Sequence, residues 1–243
     1  MSGLPKISII TVVKNGVEHI ERSILSVLPQ LKDTVEYIVI DGGSTDGTLD
    51  VLTKYKANFN VLISEPDSGI YNAMNKGIAL ANGELIGILN SDDQYFPNSL
   101  EWILAEHRTF GANIYHANVE LIKSNGKPIV LTPELNKLPQ QAAINHTSCF
   151  VQKSVYDRLG NFDETYHISS DYEFLLRCFI AKEKFHYINR TITRFYSGGA
   201  SGSCYSNVEG YKILKKYNTG HQYKMIYRGV KCYLKKFVER IIL

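Results

Sequence analysis

Five aspartates fall in three short clusters of this chain. Asp41 and Asp46 lie in DGGSTDGT (41–48), Asp67 lies in SEPDSG (64–69), and Asp92 and Asp93 close NSDD (90–93). Each cluster follows an apolar run: EYIVI (36–40), NVLIS (60–64) and LIGIL (85–89). Carboxylates gathered at one place repel one another unless something offsets them. A divalent cation does that. Hard cations take oxygen ligands, and magnesium or manganese is typically held by one or two carboxylates together with substrate phosphates. Taken alone, DGGSTDGT reads equally well as a strand-to-helix turn, since Asp-Gly and Ser-Asp pairs are common there. Three clusters at three successive strand ends point to a site.

The elements that must position these groups follow from hydrophobic periodicity. Ile7 to Val13 reads as a buried strand. Val17 to Leu28 reads as a helix, with Ile20, Ile24, Val27 and Leu28 on one face and Pro29 as its stop. Strands are expected at Glu36 to Ile40, Asn60 to Ser64 and Leu85 to Leu89. Helices are expected at Thr48 to Tyr55 and Ile70 to Ala81, the latter with Ser68 as N-cap. Alternation of this kind argues for an α/β fold, a mostly parallel sheet with helices on both faces. In open sheets of that type ligands sit beyond the carboxyl ends of the strands, where the aspartates fall. After Asp93 the pattern becomes mixed. Pro97 to His107 reads as a helix capped by Asn98 or Ser99. Ile114 to Ile122, Asn125-Gly126 and Pro128 to Leu131 read as a hairpin. Ser154 to Leu159 and Asp171 to Ala181 read as helices, and Phe185 to Ile188 as a strand.

Composition sets outer bounds. The chain has 243 residues, 44% hydrophobic and 21% charged, ordinary for a globular protein. No run approaches the ~18 apolar residues of a membrane span, and the amino terminus has no apolar signal segment. Cys149, Cys178, Cys204 and Cys232 show no C-x-x-C spacing. No zinc site and no disulfide framework is therefore expected, and a reducing cytoplasm is the simplest location. Net charge is +3, but the segment 211–243 holds nine Lys and Arg against Glu239 alone, so it carries +8 and the remainder −5.

The stretches SIITVVKNG (8–16), SVLPQ (26–30), EYIVIDGGSTDGT (36–48), EPDSGIYNAMNKGIALANGELIGILNSDD (65–93) and GNFDETYHISSDYEFLLR (160–177) resemble an inverting family 2 glycosyltransferase of GT-A, Rossmann-like fold, closest to bacterial enzymes of O-antigen and exopolysaccharide synthesis. The resemblance covers residues 6 to about 200. It implies a catalytic domain over 1–205, with a nucleotide-binding half (1–95) and an acceptor half (96–205); the remainder, which matches no motif of the family, reads from its charge and spacing as a basic amphipathic helical tail over 206–243. It further implies transfer of a sugar from a nucleotide-sugar donor, with UDP the expected nucleotide, onto a lipid-linked glycan acceptor, assisted by Mn2+ or Mg2+. Asp41 and Thr11 match the base-recognition positions, Asp67 a further base- or ribose-side acid, Asp92 the ribose-facing acid and Asp93 the metal ligand. Ser91 stands where some relatives have a first aspartate. Asp171 matches the general base, and an acid opening a helix is held there by the helix dipole. Glu173, two residues on and facing away, is its nearest rival. Lys76 is a candidate for phosphate charge, and His146, in NHTSCF, a candidate for donor or acceptor contact. Both also read as ordinary structural residues.

The loop Tyr196 to Ser203 is rich enough in glycine to act as a flap. In the tail, Ile226, Val230, Tyr233, Leu234, Phe237, Ile241 and Ile242 recur near helical spacing among basic residues. That pattern fits a helix lying on the inner face of the cytoplasmic membrane, and equally a stripe packed on the domain or on a second copy in a homodimer. A nucleotidyltransferase is the rival within the same chemistry. It would want a glycine-rich basic loop after the first strand, where KNGVEH (14–19) offers one Gly and one Lys. A non-catalytic nucleotide-sugar-binding module and a nucleic-acid-binding protein acting through the basic tail are the remaining alternatives. Nothing in the first 200 residues calls for nucleic acid.

Overall fold

A computed structural model of the protein describes residues 6–197 and 204–242, and side chains as far as residue 232. The expected flap therefore lies, from residue 198 onward, outside the described residues, as do the tail side chains beyond residue 232. The strands are β1 Ile7–Val13, β2 Val35–Asp41, β3 Val61–Ser64, β4 Leu85–Asn90, β5 Gln94–Tyr95, β6 Ile114–Ile122, β7 Pro128–Leu131, β8 Cys149–Gln152 and β9 Phe185–Tyr196. They form one sheet in the order β3-β2-β1-β4-β8-β6-β9-β5, with β7 paired to β6. The pairs β1/β2, β1/β4, β2/β3 and β6/β9 are parallel, while β8 runs antiparallel to β4 and β6. Each residue of β1 and β2 is buried, as expected of strands covered on both faces.

The helices are α1 Ile20–Val27, α2 Thr48–Lys54, α3 Ile70–Leu80, α4 Ser99–Phe110, α5 Lys153–Leu159, α6 Ser170–Ile180, α7 Tyr205–Lys216 and α8 Gln222–Ile242. Alternation along the strands sends Ile10, Val12, Ile38 and Ile40 to one face, where α3, α5, α6 and α7 pack. Ile7, Ile9, Tyr37 and Val39 face the other way, onto α1, α2 and α4. Ile213 and Leu214 of α7 and Met225 of α8 belong to the first of these cores. The chain expected as a tail thus begins with a helix packed into the body.

Four details differ from the sequence reading. Helix α3 has Gly69, not Ser68, at its N-cap, and no side chain caps it. The Asp67 carboxylate instead accepts from Gly69 N at 3.0 Å. Strand β9 runs on to Tyr196, because a register shift passes from Ala117↔Ile188 to Asn118↔Thr191 and sets Asn189 and Arg190 outside the pairing. That irregularity hides the alternation by which a strand is recognised. Strand β8 has four residues, too few to show a period. The expectation of no disulfide is corrected. Cys204, at the N-cap of α7, is bonded to Cys232 in α8, while Cys149 and Cys178 are free and buried. The pair meets only because α8 folds back on α7, which sequence spacing does not reveal.

Candidate functional site

The loops after β1 and β2 are stitched together at the carboxyl edge of the sheet. Asn15 N donates to Ser44 Oγ at 2.7 Å, and Thr45 N donates to Asn15 Oδ1 at 2.8 Å. Gly16 N donates to Thr48 Oγ1 at 2.9 Å and Val17 N to Asp46 Oδ2 at 3.1 Å. Asp46 also accepts from Thr48 N at 3.0 Å. It therefore pins this loop, and the Thr48 hydroxyl is the main cause that holds its carboxyl below the ordinary range. Asp41 is fully buried, with Ser44 and Ser64 donating to it, the latter at 2.6 Å. Thr11 is also fully buried, its hydroxyl 3.1 Å from the Tyr37 hydroxyl within the core under α1 and α2.

Above this edge lies a cavity of about 840 Å³, within the range of small-molecule sites. Lys14, Asp67, Tyr71, Asn90, Ser91, Asp92, His146 and Asp171 are on its wall, and Ala117, Val119, Ile144 and Phe195 give the wall of the second half an apolar surface. The Asp67 side chain is 5% exposed and its carboxylate is 3.7 Å from Lys14 Nζ. It lies so close to Gly42 that a Cβ there would fall 2.1 Å from its Oδ2, so glycine is what lets it in. Lys76 is not on the cavity wall. Its ammonium pairs with Glu65 at 2.6 Å and donates to Pro66 O at 3.3 Å.

Asp171, second residue of α6, sits between two donors. The Tyr71 hydroxyl donates to its Oδ1 at 2.8 Å, and His146 Nδ1 lies 3.0 Å from Oδ2. Burial works against the charged carboxylate, but the bonds from His146 and Tyr71 outweigh it and hold the carboxyl below its usual range. Burial likewise opposes a charged His146, and the Asp171 contact overcomes it and raises the imidazole above its ordinary value. His146 Nε2 lies 3.5 Å from Asn90 Oδ1, and Asn90 Nδ2 donates to Asp93 Oδ2 at 3.1 Å. A polar chain therefore runs Tyr71–Asp171–His146–Asn90–Asp93 from α3 to the end of β4. Glu173, the rival base, is 1% exposed and points away from this chain into contacts with Arg177 at 2.8 Å and Lys216 at 3.0 Å.

Asp93 is fully buried, and its Oδ1 has no partner. Burial, and then the charge of Asp92, push its carboxyl up to about 8. Arg22 donates to the Asp92 carbonyl at 2.9 Å and stacks over Tyr196 at 3.9 Å, fixing the turn between them. Among the described residues no cluster of three or more His, Cys, Asp or Glu is set to hold a metal ion. Asp92 is on the cavity wall and Asp93 lies buried behind it; the pair suits a cation that draws its remaining ligands from substrate phosphates, since the Asp93 Oδ1 is unpartnered and a cation would offset the burial and the Asp92 charge that raise its carboxyl. Sequence reasoning missed Tyr71 and Asn90. Tyr71 sits at apolar helical spacing and reads as core, whereas Asn90 opens the NSDD cluster and adjacency could have found it.

The glycosyl transferase family 2 model matches residues 8–172. An uncharacterised glycosyltransferase of Mycobacterium tuberculosis is 32% identical over 195 residues, covering 75% of this chain and 72% of its own. A PGL/p-HBAD biosynthesis glycosyltransferase of Mycobacterium bovis is 28% identical, covering 72% of this chain and 70% of its own. Among solved structures, Staphylococcus aureus TarS residues 1–349 in complex with UDP-GlcNAc superposes with a TM-score of 0.71 at 17% identity, over 86% of this chain and 64% of that one. The mannosyltransferase PcManGT of Pyrobaculum calidifontis, in complex with GDP-Man and Mn2+, superposes with a TM-score of 0.64 at 14% identity, over 86% of this chain and 62% of that one. At that identity the two structures speak for the fold, and this chain spans less than two thirds of either. Sheet order, cavity and sequence match agree: the chain belongs to glycosyl transferase family 2 and is a glycosyltransferase of GT-A fold.

Proposed function

We propose that the enzyme transfers a sugar from a UDP-sugar, with inversion, to a hydroxyl of a lipid-linked glycan in the building of a bacterial surface polysaccharide of the O-antigen or exopolysaccharide type. The observation that carries the reading is Asp171, a carboxylate kept ionised by His146 and Tyr71 on the wall of a cavity whose other edge carries Asp67 and Asp92. An ionised carboxylate within reach of an acceptor hydroxyl can take its proton as the oxygen attacks the anomeric carbon. That carbon–oxygen bond forms as the bond to the leaving diphosphate breaks, and a single displacement inverts the anomeric centre. In this reading Asp67 and Asp92 flank the nucleoside, His146 contacts the donor while orienting Asp171, and Asp41 and Thr11 shape the base pocket from the interior. Lys76 supports the Glu65–Pro66 rim. Asp93, with Asp92 beside it, would hold Mn2+ or Mg2+, which would supply charge neutralisation for a diphosphate leaving group. The neighbours named with UDP-GlcNAc and with GDP-Man and Mn2+ lend support to a nucleotide-sugar donor and a metal.

A nucleotidyltransferase is the weaker reading. The N–H groups of residues 15–17, which would have to cradle a triphosphate, are already bonded to Ser44, Thr48 and Asp46. For the membrane, the supporting observation is α8. Tyr223, Ile226, Tyr227 and Val230 are 45–72% exposed at i, i+3, i+4 and i+7, and no helix among the described residues is long and apolar enough to cross a bilayer. An exposed apolar stripe on a basic helix fits the interface of an anionic leaflet.

Incubation with UDP-sugars, manganese and a short glycan acceptor is expected to give a product of anomeric configuration opposite to the donor, read from NMR coupling constants. Retained configuration would overturn the single displacement. Asp171→Asn should lower kcat by about 10²- to 10⁴-fold with donor affinity kept, while Glu173→Gln keeps most of its turnover; the reverse pattern would mean that the wrong acid has been chosen. The same substitution has a pH signature. The lowered Asp171 carboxyl stabilises the fold above its unfolded value and loses that contribution as pH falls through the folded value. The raised His146 stabilises below its unfolded value and loses it as pH rises through the folded one. The stability gap between wild type and Asp171→Asn should therefore be widest between about pH 4 and 6.5. Asp93→Ala should remove manganese-dependent UDP binding in calorimetry, and unchanged metal dependence would sink its assignment. The protein should sediment with anionic but not neutral vesicles, and Ile226→Glu with Tyr227→Glu should abolish this. Equal sedimentation of that variant, or a dimer that dissociates in it with no vesicle binding by wild type, would assign the stripe to a protein contact.

A further inference from the structure

We propose that Glu209, on α7, is a positioning residue that fixes the segment 167–169 and through it aims Asp171. The proposal rests on the reading of Asp171 as the base. Glu209 is 1% exposed. Its Oε1 accepts from His167 N at 2.7 Å, and its Oε2 accepts from Ile168 N at 2.9 Å and Ser169 N at 2.9 Å. One carboxylate therefore gathers three consecutive backbone N–H groups immediately before α6. Asp171 is the second residue of that helix, and His167 and Ile168 are themselves on the cavity wall.

The local sequence supplies no substitute. Ser169 is the N-cap of α6 but makes no side-chain cap, and the buried Ser170 hydroxyl has no partner. The donors at the start of a helix need acceptors, and negative charge is favoured there. Here both come from an element 40 residues downstream in the chain. Bonds from amides to a carboxylate are roughly twice as strong as neutral ones, so Glu209 is a firm anchor. Its own helix is fixed independently, by Ile213 and Leu214 in the core and by Lys216 and Tyr217, which reach the Glu173 carboxylate on α6. The two buried glutamates divide the contact. Glu173 joins the bodies of α6 and α7, whereas Glu209 holds the segment that leads into the site. Neither lies at the nucleotide edge, so loss of Glu209 should be felt by the acceptor hydroxyl and the base rather than by the donor.

The test is initial-rate kinetics of the full chain, with thermal unfolding alongside, for wild type, Glu209→Ala, Glu209→Gln, Glu173→Gln and Asp171→Asn on one UDP-sugar and one acceptor. Small misplacement of reacting groups costs up to about 10²-fold. Glu209→Ala should lose roughly 10- to 100-fold in kcat/KM for the acceptor, through both a lower kcat and a higher KM, with donor KM unchanged. Glu209→Gln keeps one carbonyl acceptor and should fall between wild type and Glu209→Ala. Glu173→Gln should lower the melting temperature and leave the acceptor KM alone. If donor and acceptor parameters move together in Glu209→Ala, or if Glu173→Gln at a similar loss of stability reproduces its kinetics, Glu209 is only structural. Should Glu209→Ala fail to fold, Glu209→Gln decides, and unchanged acceptor parameters in it overturn the proposal. Full turnover by Asp171→Asn would instead defeat the base assignment, and a rise in acceptor KM in Glu209→Ala would still register in that case.

Discussion

Like charges brought to one edge of a sheet repel, and the cleft is built around containing that repulsion one carboxylate at a time. Asp41 is answered by the hydroxyls of Ser44 and Ser64, Asp46 by Thr48 and the Val17 amide, and Asp67 by Gly69 and Lys14. Asp171 has His146 and Tyr71. Asp92 keeps its carboxylate on the cavity wall, and Asp93 is the buried exception, with one oxygen unanswered and its carboxyl raised to about 8, by burial first and the Asp92 charge second. In a fold that pairs Asp41, Asp67 and Asp171, the unpaired Asp92 and Asp93 are the place where an external positive charge would do most. The same containment explains the stitched loops. The Ser44 and Thr48 hydroxyls and the Val17 amide that answer Asp41 and Asp46 also lock residues 15–17 against residues 44–48, so the electrostatic requirement and the rigidity of that edge share one network.

Legibility in the sequence was uneven for physical reasons. The first four strands and the helices between them could be read because buried parallel strands are runs of Ile, Val and Leu, bounded by Asp and Gly turns. The second half depends on pairings between distant segments. Strand β8 is too short to show a period, and β9 is interrupted by its register shift. Acids at strand ends could be placed on an edge, but which oxygens face the cavity could not be foreseen. Asp67, Asp92, His146 and Asp171 are on its wall, whereas Asp41 and Thr11 look inward and Lys76 turns to Glu65. Tyr71 was hidden because an aromatic at helical spacing is ordinarily core. It is core, at 5% exposure, and only its hydroxyl reaches the site.

The C-terminal region carried the largest surprise. Of the apolar stripe expected on α8, Ile226 and Val230 are described and exposed, while α7 contributes Ile213 and Leu214 to the core, and Glu209 to the approach to Asp171. The disulfide between Cys204 and Cys232 ties α7 to α8 across 28 residues. Lys224 and Arg228 of α8 also donate to Gln140 and Gln141, between β7 and β8. The basic helix thus uses some of its charge to dock against the segment between β7 and β8.

The inherited unit and the folding unit of this protein do not coincide. The match to the family model ends at residue 172, inside the first turn of α6. A polypeptide stopped there would lack β9, which lies between β6 and β5, and so would leave β6 as a bare edge, the geometry that invites strand addition from other molecules. It would also lack most of α6 and all of α7, and with them part of the cover that they share with α3 and α5 on one face of the sheet. The residues beyond that point therefore pair the β6 edge and complete the cover of the portion that the family model matches. Recombination between family members would have to exchange the whole span through α7, or find a new lid for the same sheet.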